Sequence, residues 1–121
     1  MKIKSFKDLA IWQRSIKLVE DIYKVTKAFP REDLYGLTNQ LRRAAVSIPS
    51  NIAEGFARNH SKEYKQFLFV SLGSCAELST QLIIAERLGY LRCEKSNTLL
   101  DEIEQISKMT MSLIKKLNSD N

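Results

Sequence analysis

The chain has 121 residues, of which 44% are hydrophobic and 27% are charged, and its formal net charge is +5. This length predicts one domain over residues 1–121, while the lack of an apolar leader or an eighteen-residue apolar run argues against export and membrane insertion. Because Cys75 and Cys93 make neither a disulfide framework nor a metal site, we expect a reduced, cytoplasmic protein.

The positive charge is distributed unevenly along the sequence. Residues 1–60 carry eleven Lys and Arg against six acids, whereas residues 61–121 carry eight of each. The surplus therefore lies in the first half of the sequence, on the first two predicted helices, and favours an anionic partner there. A soluble protein with a modest positive balance is the alternative interpretation.

The first predicted helix begins at a capping box formed by Ser5 and Asp8 and ends near Phe29, just before Pro30. Its apolar residues form two adjoining stripes, which is more apolar surface than one core can use. The first stripe contains Leu9, Trp12, Ile16, Val19 and Tyr23, and the second contains Ile11, Leu18, Ile22, Val25 and Phe29. We therefore expect this helix to be covered from two sides.

The second predicted helix follows the turn at residues 30–33, ends near Arg58 and contains Pro49 in its interior. Proline cannot donate a hydrogen bond to the carbonyl four residues earlier, so we expect a kink at Pro49, which either fits the core or shapes a binding surface. Opposite the apolar face, short polar groups form a ridge that favours a partner. This ridge contains Gln40, Arg43, Ser47, Asn51, Glu54 and Arg58.

The third predicted helix has Asn59 and Ser61 as candidate caps and ends at Leu88, with Gly89 in the position after the cap. Between Lys65 and Glu86 its only charged residue is Glu77, and its apolar residues point in all directions. A helix that is apolar on all sides has to be buried on all sides, which a lone four-helix bundle cannot achieve. The sequence therefore predicts association between subunits.

Glu77 belongs to a short polar row with Ser74 and Gln81 on the third helix. A buried carboxylate without a partner is costly, so we expect Arg42 or Arg43 to pair with it in the same or a neighbouring subunit. Exposure of Glu77 at the edge of the bundle is the alternative.

The fourth predicted helix spans Glu94 to Leu117 and has a regular apolar seam that includes Leu99, Ile103 and Ile106. Four helices joined by short turns, with no candidate strand, predict an all-α, antiparallel up-and-down four-helix bundle whose second helix is kinked at Pro49.

Several long motifs carry a family resemblance. The run GLTNQLRRAAVSIPSNIAEG, preceded by DLAIWQ and followed by GSCAELSTQL and LGY, closely resembles the bacterial four-helix-bundle proteins encoded by intervening sequences in 23S ribosomal RNA genes. The resemblance extends from about Phe6 to Tyr90 and implies a bundle that assembles as a ring, typically a homopentamer. The family is also similar to the accessory protein of diversity-generating retroelements, a pentameric ring whose basic surface is implicated in binding RNA and a reverse transcriptase.

Residues for catalysis or for binding cofactors are not apparent in the sequence. His60 is the only histidine and lies in a predicted turn, the four glycines are isolated, and paired Glu-x-x-His motifs are missing. We therefore expect no enzymatic activity, no catalytic residue, no metal, no cofactor and no small-molecule substrate.

The function that remains is binding of a macromolecule, for which the sequence supports two hypotheses. The first hypothesis is an oligomeric RNA-binding or other nucleic-acid-binding protein, whose phosphate contacts would come from Arg14, Lys17, Lys24, Arg42, Arg43 and Arg58. The second is a structural or adaptor ring that binds a protein, in which polar residues serve assembly. The residues assigned to that assembly are Gln40, Ser47, Asn51, Glu54, Glu77 and Gln81. The hypotheses differ in whether the helix-two arginines face outward or pair with Glu54 and Glu77.

Overall fold

The computed structural model describes residues 3–119, which form four helices and contain no strand, and it confirms the predicted all-α four-helix bundle. The helices are α1 (Ala10–Thr26), α2 (Asn39–Ala57), α3 (Ser61–Arg87) and α4 (Cys93–Ser119). Each consecutive pair is in contact, and α1 also packs on α4, so the helices surround one core. Short connections between neighbours make the bundle antiparallel.

The chain enters α1 through a separate short turn. The Ser5 hydroxyl accepts a hydrogen bond of 3.1 Å from the backbone N–H of Lys7, and this bond opens a 3-10 turn at Phe6–Asp8 rather than the α-helix. Leu9 then takes an extended conformation, with φ −75° and ψ 129°, and α1 begins at Ala10. The predicted start of the helix at a capping box was therefore wrong, because the Ser5 side chain caps the 3-10 turn and the α-helix begins later. The helix also ends earlier than predicted, at Thr26.

The connection from α1 to α2 is longer than the sequence indicated. A 3-10 turn at Arg31–Asp33 is followed by a wide helical turn at Leu34–Thr38, inside which Gly36 leaves helical geometry with φ −104° and ψ −112°. Regular α2 therefore starts at Asn39 and continues through Pro49 as one helix to Ala57. The bend expected at Pro49 stays a prediction.

The boundaries of α3 agree with prediction at one end and differ at the other. His60 occupies the N-cap position without a side-chain hydrogen bond, so neither Asn59 nor Ser61 is the cap. At the other end, Gly89 has φ +82° directly after the cap residue Leu88 and ends the helix in a left-handed conformation, as predicted.

The core consists mainly of aliphatic side chains contributed by all four helices. Representative fully buried residues are Leu18 and Ile22 of α1, Leu41, Ile48 and Ile52 of α2, Leu68, Leu78 and Leu82 of α3, and Ile103 and Ile106 of α4. By length and composition alone, α3 is apolar enough to cross a membrane, although 39% of its most apolar window is buried inside the bundle. A helix of this composition is equally typical of a bundle in which one face packs in the core and another face contacts a second subunit.

One end of the bundle is closed by contacts between the two connections there. The Tyr90 hydroxyl donates a 2.6 Å hydrogen bond to a carboxylate oxygen of Asp33, and the Tyr90 ring packs on Phe29 with centroids 5.4 Å apart. The hydrogen bond raises the pKa of Tyr90 above its ordinary value. These contacts join the α1–α2 connection to the α3–α4 connection.

Candidate nucleic-acid interface

Arg14, the first of the predicted phosphate contacts, is used within the bundle. Its Nε and Nη2 atoms donate to the two carboxylate oxygens of Glu102 on α4 at 2.8 and 2.7 Å, and Nη1 reaches the sulfur of Met109 at 3.5 Å. The bidentate hydrogen bonds raise the pKa of Arg14. This side chain joins α1 to α4, and it is only partly free to contact a phosphate.

The two neighbouring arginines of α2 have different surroundings. The Nε of Arg42 donates to the Thr26 hydroxyl at 2.9 Å, and its guanidinium lies 4.7 Å from the centroid of the Tyr23 ring. Arg43 is exposed and has no carboxylate within 4.0 Å among residues 3–119. Arg42 therefore joins α2 to α1, whereas Arg43 faces solvent.

The remaining predicted cations are exposed, and two of them pair within their own helices. Lys17 lies 2.9 Å from Asp21, and Arg58 lies 3.1 Å from Glu54 and 5.1 Å from the centroid of the Phe67 ring. Surface pairs of this kind are weak and leave the cation accessible. No carboxylate of the described residues lies within ion-pair distance of the sixth cation, Lys24.

The middle of the polar ridge forms part of the contact between α2 and α3. The hydroxyls of Ser47 and Ser74 are 2.8 Å apart, and the Asn51 amide donates to the carbonyl and hydroxyl oxygens of Ser47 at 2.8 and 2.9 Å. One turn away, the Ser71 hydroxyl donates to the carbonyl of Ile48 at 3.0 Å. Ser47 and Asn51 are thus occupied inside the subunit.

Gln40 and Glu77 lie at the open edge of the same helix pair. Within the described part of the chain Glu77 is exposed and has no ion pair with Arg42 or Arg43, so a buried pair does not form inside one subunit. Pairing across subunits stays a prediction. Gln81 is nearly buried, and its Oε1 has no hydrogen-bond partner among residues 3–119.

A polar groove of about 620 Å³ runs along this edge between α2 and α3. Its lining contains Tyr35, Asn39, Gln40, Arg43, Ala44, Ser47 and Glu77. Tyr35 is 91% exposed although it is aromatic. Sequence reasoning missed it, because it lies outside the apolar and polar repeats of the second predicted helix. The groove brings together one cation, one carboxylate and several amide and hydroxyl groups.

Two separate apolar surfaces remain uncovered on the subunit. The outward face of α3 exposes five large apolar side chains: Phe69, Val70, Ile83, Ile84 and Leu88. Phe69 is 52% exposed and Ile83 is 42% exposed, and a Cβ on Gly73 between them would meet no atom within 4 Å.

The second surface is a groove of about 280 Å³ between α1 and α2, lined by Trp12, Ile16, Val19, Val46, Pro49, Ser50 and Ala53. Three of the five residues in the first apolar stripe of α1 line this groove, whereas the second stripe is largely buried in the core.

These features define an all-α bundle in which only part of the predicted polar site is engaged in packing, namely Arg14, Arg42, Ser47 and Asn51. The family model described as 23S rRNA-intervening sequence protein matches residues 7–112, and the chain belongs to this family. A solved structure of similar fold is the crystal structure of a protein with unknown function from the S23 ribosomal protein family of Bacteroides thetaiotaomicron. It is 21% identical, covers 88% of this chain and 99% of its own, and has a TM-score of 0.81. Among curated proteins, none matches the chain significantly.

Proposed function

We propose that the protein is a non-enzymatic cytoplasmic bundle that assembles into a ring and binds RNA or another nucleic acid through a basic surface. The observation that carries the proposal is the outward face of α3, where five large apolar side chains stay exposed on a single subunit. Several large apolar side chains exposed along one helix mark an interaction site. The nucleic-acid part rests on the net charge of +5 and on exposed cations such as Arg58 and Lys62.

Assembly uses two unlike surfaces. The α3 face and the α1–α2 groove lie on different sides of the bundle, so a copy of the α3 face packs into the groove of the next copy. Such a head-to-tail contact produces a ring when the rotation between copies closes. The family resemblance supports five copies.

The apolar area is sufficient for association only when both surfaces contribute. Burying the exposed half of a large apolar side chain gives roughly 1 kcal/mol, so the five side chains on α3 give about 5 kcal/mol. The cost of association is about 4–15 kcal/mol. The groove residues on the neighbouring copy must therefore lose water as well, which the head-to-tail arrangement provides.

The assembly is tested by size-exclusion chromatography with light scattering. The wild type should elute as one closed oligomer, and Phe69→Glu with Ile83→Glu should elute as a folded monomer. The matched control places the same charges on exposed α4 positions, Gln105→Glu with Ser112→Glu, and should remain oligomeric. A wild type that is a folded monomer under dilute conditions would overturn the assembly.

Nucleic-acid binding is tested in the same chromatography with cellular RNA added. RNA retention should fall steeply between low and moderate salt, because phosphate contacts release counterions. Arg58→Glu should weaken retention, because Arg58 is exposed and its ion pair with Glu54 is a weak surface pair. Reversal of Arg42 would break its contacts with Thr26 and Tyr23 and so would test folding as well. Affinity that does not change with salt would contradict the proposal.

A second candidate is a structural or adaptor ring that binds a protein, with the polar ridge of α2 used in assembly. The groove between α2 and α3 favours it, because Tyr35 is almost fully exposed beside Arg43 and Glu77. Exposed aromatic residues with polar neighbours are typical of protein contacts. Binding of a defined protein that Tyr35→Ala abolishes, without RNA retention, would favour this candidate.

A further inference from the structure

Folding brings three cationic segments that are far apart in sequence to one end of the bundle. They are residues 3–9 before α1, residues 57–66 between α2 and α3, and residues 113–119 at the end of α4. The Lys65 ammonium donates to the Asn118 side-chain oxygen at 2.7 Å, which joins the second segment to the third. The turn at Phe6–Asp8 packs against α2, whose last residue begins the second segment. We refer to this surface as the cationic end.

The cationic end carries the whole positive surplus of the protein. It contains Lys4, Lys7, Arg58, Lys62, Lys65, Lys115 and Lys116, against the two acids Asp8 and Glu63. The rest of residues 3–119 has eleven Lys and Arg and eleven Asp and Glu, and Lys2 and Asp120 carry opposite charges. The folded chain therefore distributes its positive charge differently from the linear sequence, because the cationic end takes +2 from residues 3–58 and +3 from residues 62–116.

Most of these cations are available to an external anion. All except Lys65 are exposed, and within residues 3–119 only Arg58 has a carboxylate in ion-pair distance, Glu54 at 3.1 Å. Unpaired like charges brought together raise the local potential and attract a polyanion.

We propose that the cationic end is the surface that contacts the sugar-phosphate backbone of a nucleic acid; this inference rests on the proposed function and gives it a location. Ile3 is the only large apolar side chain that is strongly exposed in the three segments. A membrane-surface site needs inserting apolar residues as well as cations, which favours phosphate in nucleic acid over phosphate in lipid.

The aromatic residues at this end indicate how the nucleic acid is contacted. Phe56 and Tyr64 pack edge to face with centroids 5.9 Å apart, and Phe67 lies under the Arg58 guanidinium. Because these rings are only partly exposed and are engaged with one another, they provide no free platform for base stacking. The contact is electrostatic and independent of base sequence.

The inference is tested with two variants of equal charge at opposite ends of the bundle. The first carries Lys7→Gln, Lys62→Gln, Lys115→Gln and Lys116→Gln at the cationic end. The matched control carries Lys27→Gln, Arg87→Gln, Arg92→Gln and Lys95→Gln at the other end, where all four side chains are also exposed. Both variants lower the net charge from +5 to about +1.

Affinity for a labelled RNA oligonucleotide and a DNA duplex is measured between 50 and 200 mM salt. The affinity of the wild type falls as salt rises across this range. If all four lysines contact phosphates, the fall in affinity of the cationic-end variant should be smaller than that of the wild type by a factor of roughly 50 for single strands and roughly 150 for duplex. The control should behave like the wild type. Circular dichroism checks that both variants fold. A variant with only Lys115→Gln and Lys116→Gln should show about half of the change in the slope of log affinity against log salt concentration.

The outcomes separate the location from the function. If both four-site variants lose the same affinity for nucleic acid, the cationic end is not the contact surface, although the protein still binds nucleic acid. A wild type that binds neither RNA nor DNA at 50 mM salt would overturn the proposed function itself. Binding to vesicles containing phosphatidylglycerol without binding to nucleic acid would overturn both.

Discussion

Two helical glycines in opposite surroundings allow a direct test of the contact between α2 and α3. A Cβ added at Gly55 would lie 2.8 Å from the Cβ of Phe67 and 3.1 Å from the Cδ1 and carbonyl oxygen of Tyr64. Because the Phe67 Cβ and the Tyr64 carbonyl are fixed to the backbone, the two helices would have to move apart. A Cβ at Gly73, in contrast, would meet no atom within 4 Å.

The expected magnitudes follow from these surroundings. Replacing a helical glycine by alanine gains about 1 kcal/mol, while overpacking a close contact costs about 1–3 kcal/mol. Gly55→Ala should therefore lose about 1 kcal/mol of unfolding free energy and Gly73→Ala should gain about 1 kcal/mol. A difference of about 2 kcal/mol separates the two unfolding midpoints by roughly 6–10 °C in a domain of this size.

The assay is denaturant and thermal unfolding followed by circular dichroism, with light scattering on the same samples. Light scattering is needed because Gly73 lies on the outward face of α3, and the variants have to be compared in the same state of association. If Gly55→Ala is as stable as Gly73→Ala, α2 and α3 do not approach as closely as described, and the reasoning fails.

Two further predictions concern an ion pair and a titrating phenol. Replacing Arg14 by Met and Glu102 by Gln, singly and together, should give a coupling free energy of about 0.5–1 kcal/mol, because the pair is bidentate but partly exposed; a double-mutant cycle at low salt that yields zero would contradict this. Burial raises the pKa of Tyr64 to about 12, so the stability that its neutral phenol contributes is complete below the unfolded pKa of about 10 and is lost as pH rises through about 12. Tyr64→Phe should reduce the alkaline loss of unfolding free energy, and an unchanged pH profile in the variant would refute the assignment.

Local sequence patterns were sufficient to find the helices and most of the core. The apolar repeats that predicted the inward faces of α2 and α4, such as Leu41, Ala44 and Ile48 in α2, depend only on residues three or four positions apart. Helix starts were less predictable, because Ser5 can cap either an α-helix or a 3-10 turn with the same side-chain bond. The conformation of Gly36 likewise depends on how the connection packs and not on its neighbours alone.

The candidate site depended on contacts that the sequence does not encode locally. The sequence favours Arg14 as a phosphate contact, but the fold places Glu102, 88 positions away in the sequence, beside it. Dividing the charge by sequence position separated Lys4 from Lys116, which the antiparallel topology places at the same end. The sequence allows Glu77 to be either buried and paired or exposed, and the fold shows that it is exposed on the single subunit.

The serine hydroxyls between α2 and α3 have a consequence for how the chain selects its fold. If α3 slipped by one helical turn along α2, Ser71 and Ser74 would move about 5.4 Å away from their present acceptors. Each buried hydroxyl left without a partner would cost about 1–3 kcal/mol, whereas a leucine displaced by one turn often finds another aliphatic neighbour. The serines therefore raise the free energy of misaligned bundles, whereas the aliphatic core provides most of the stability of the correctly aligned one.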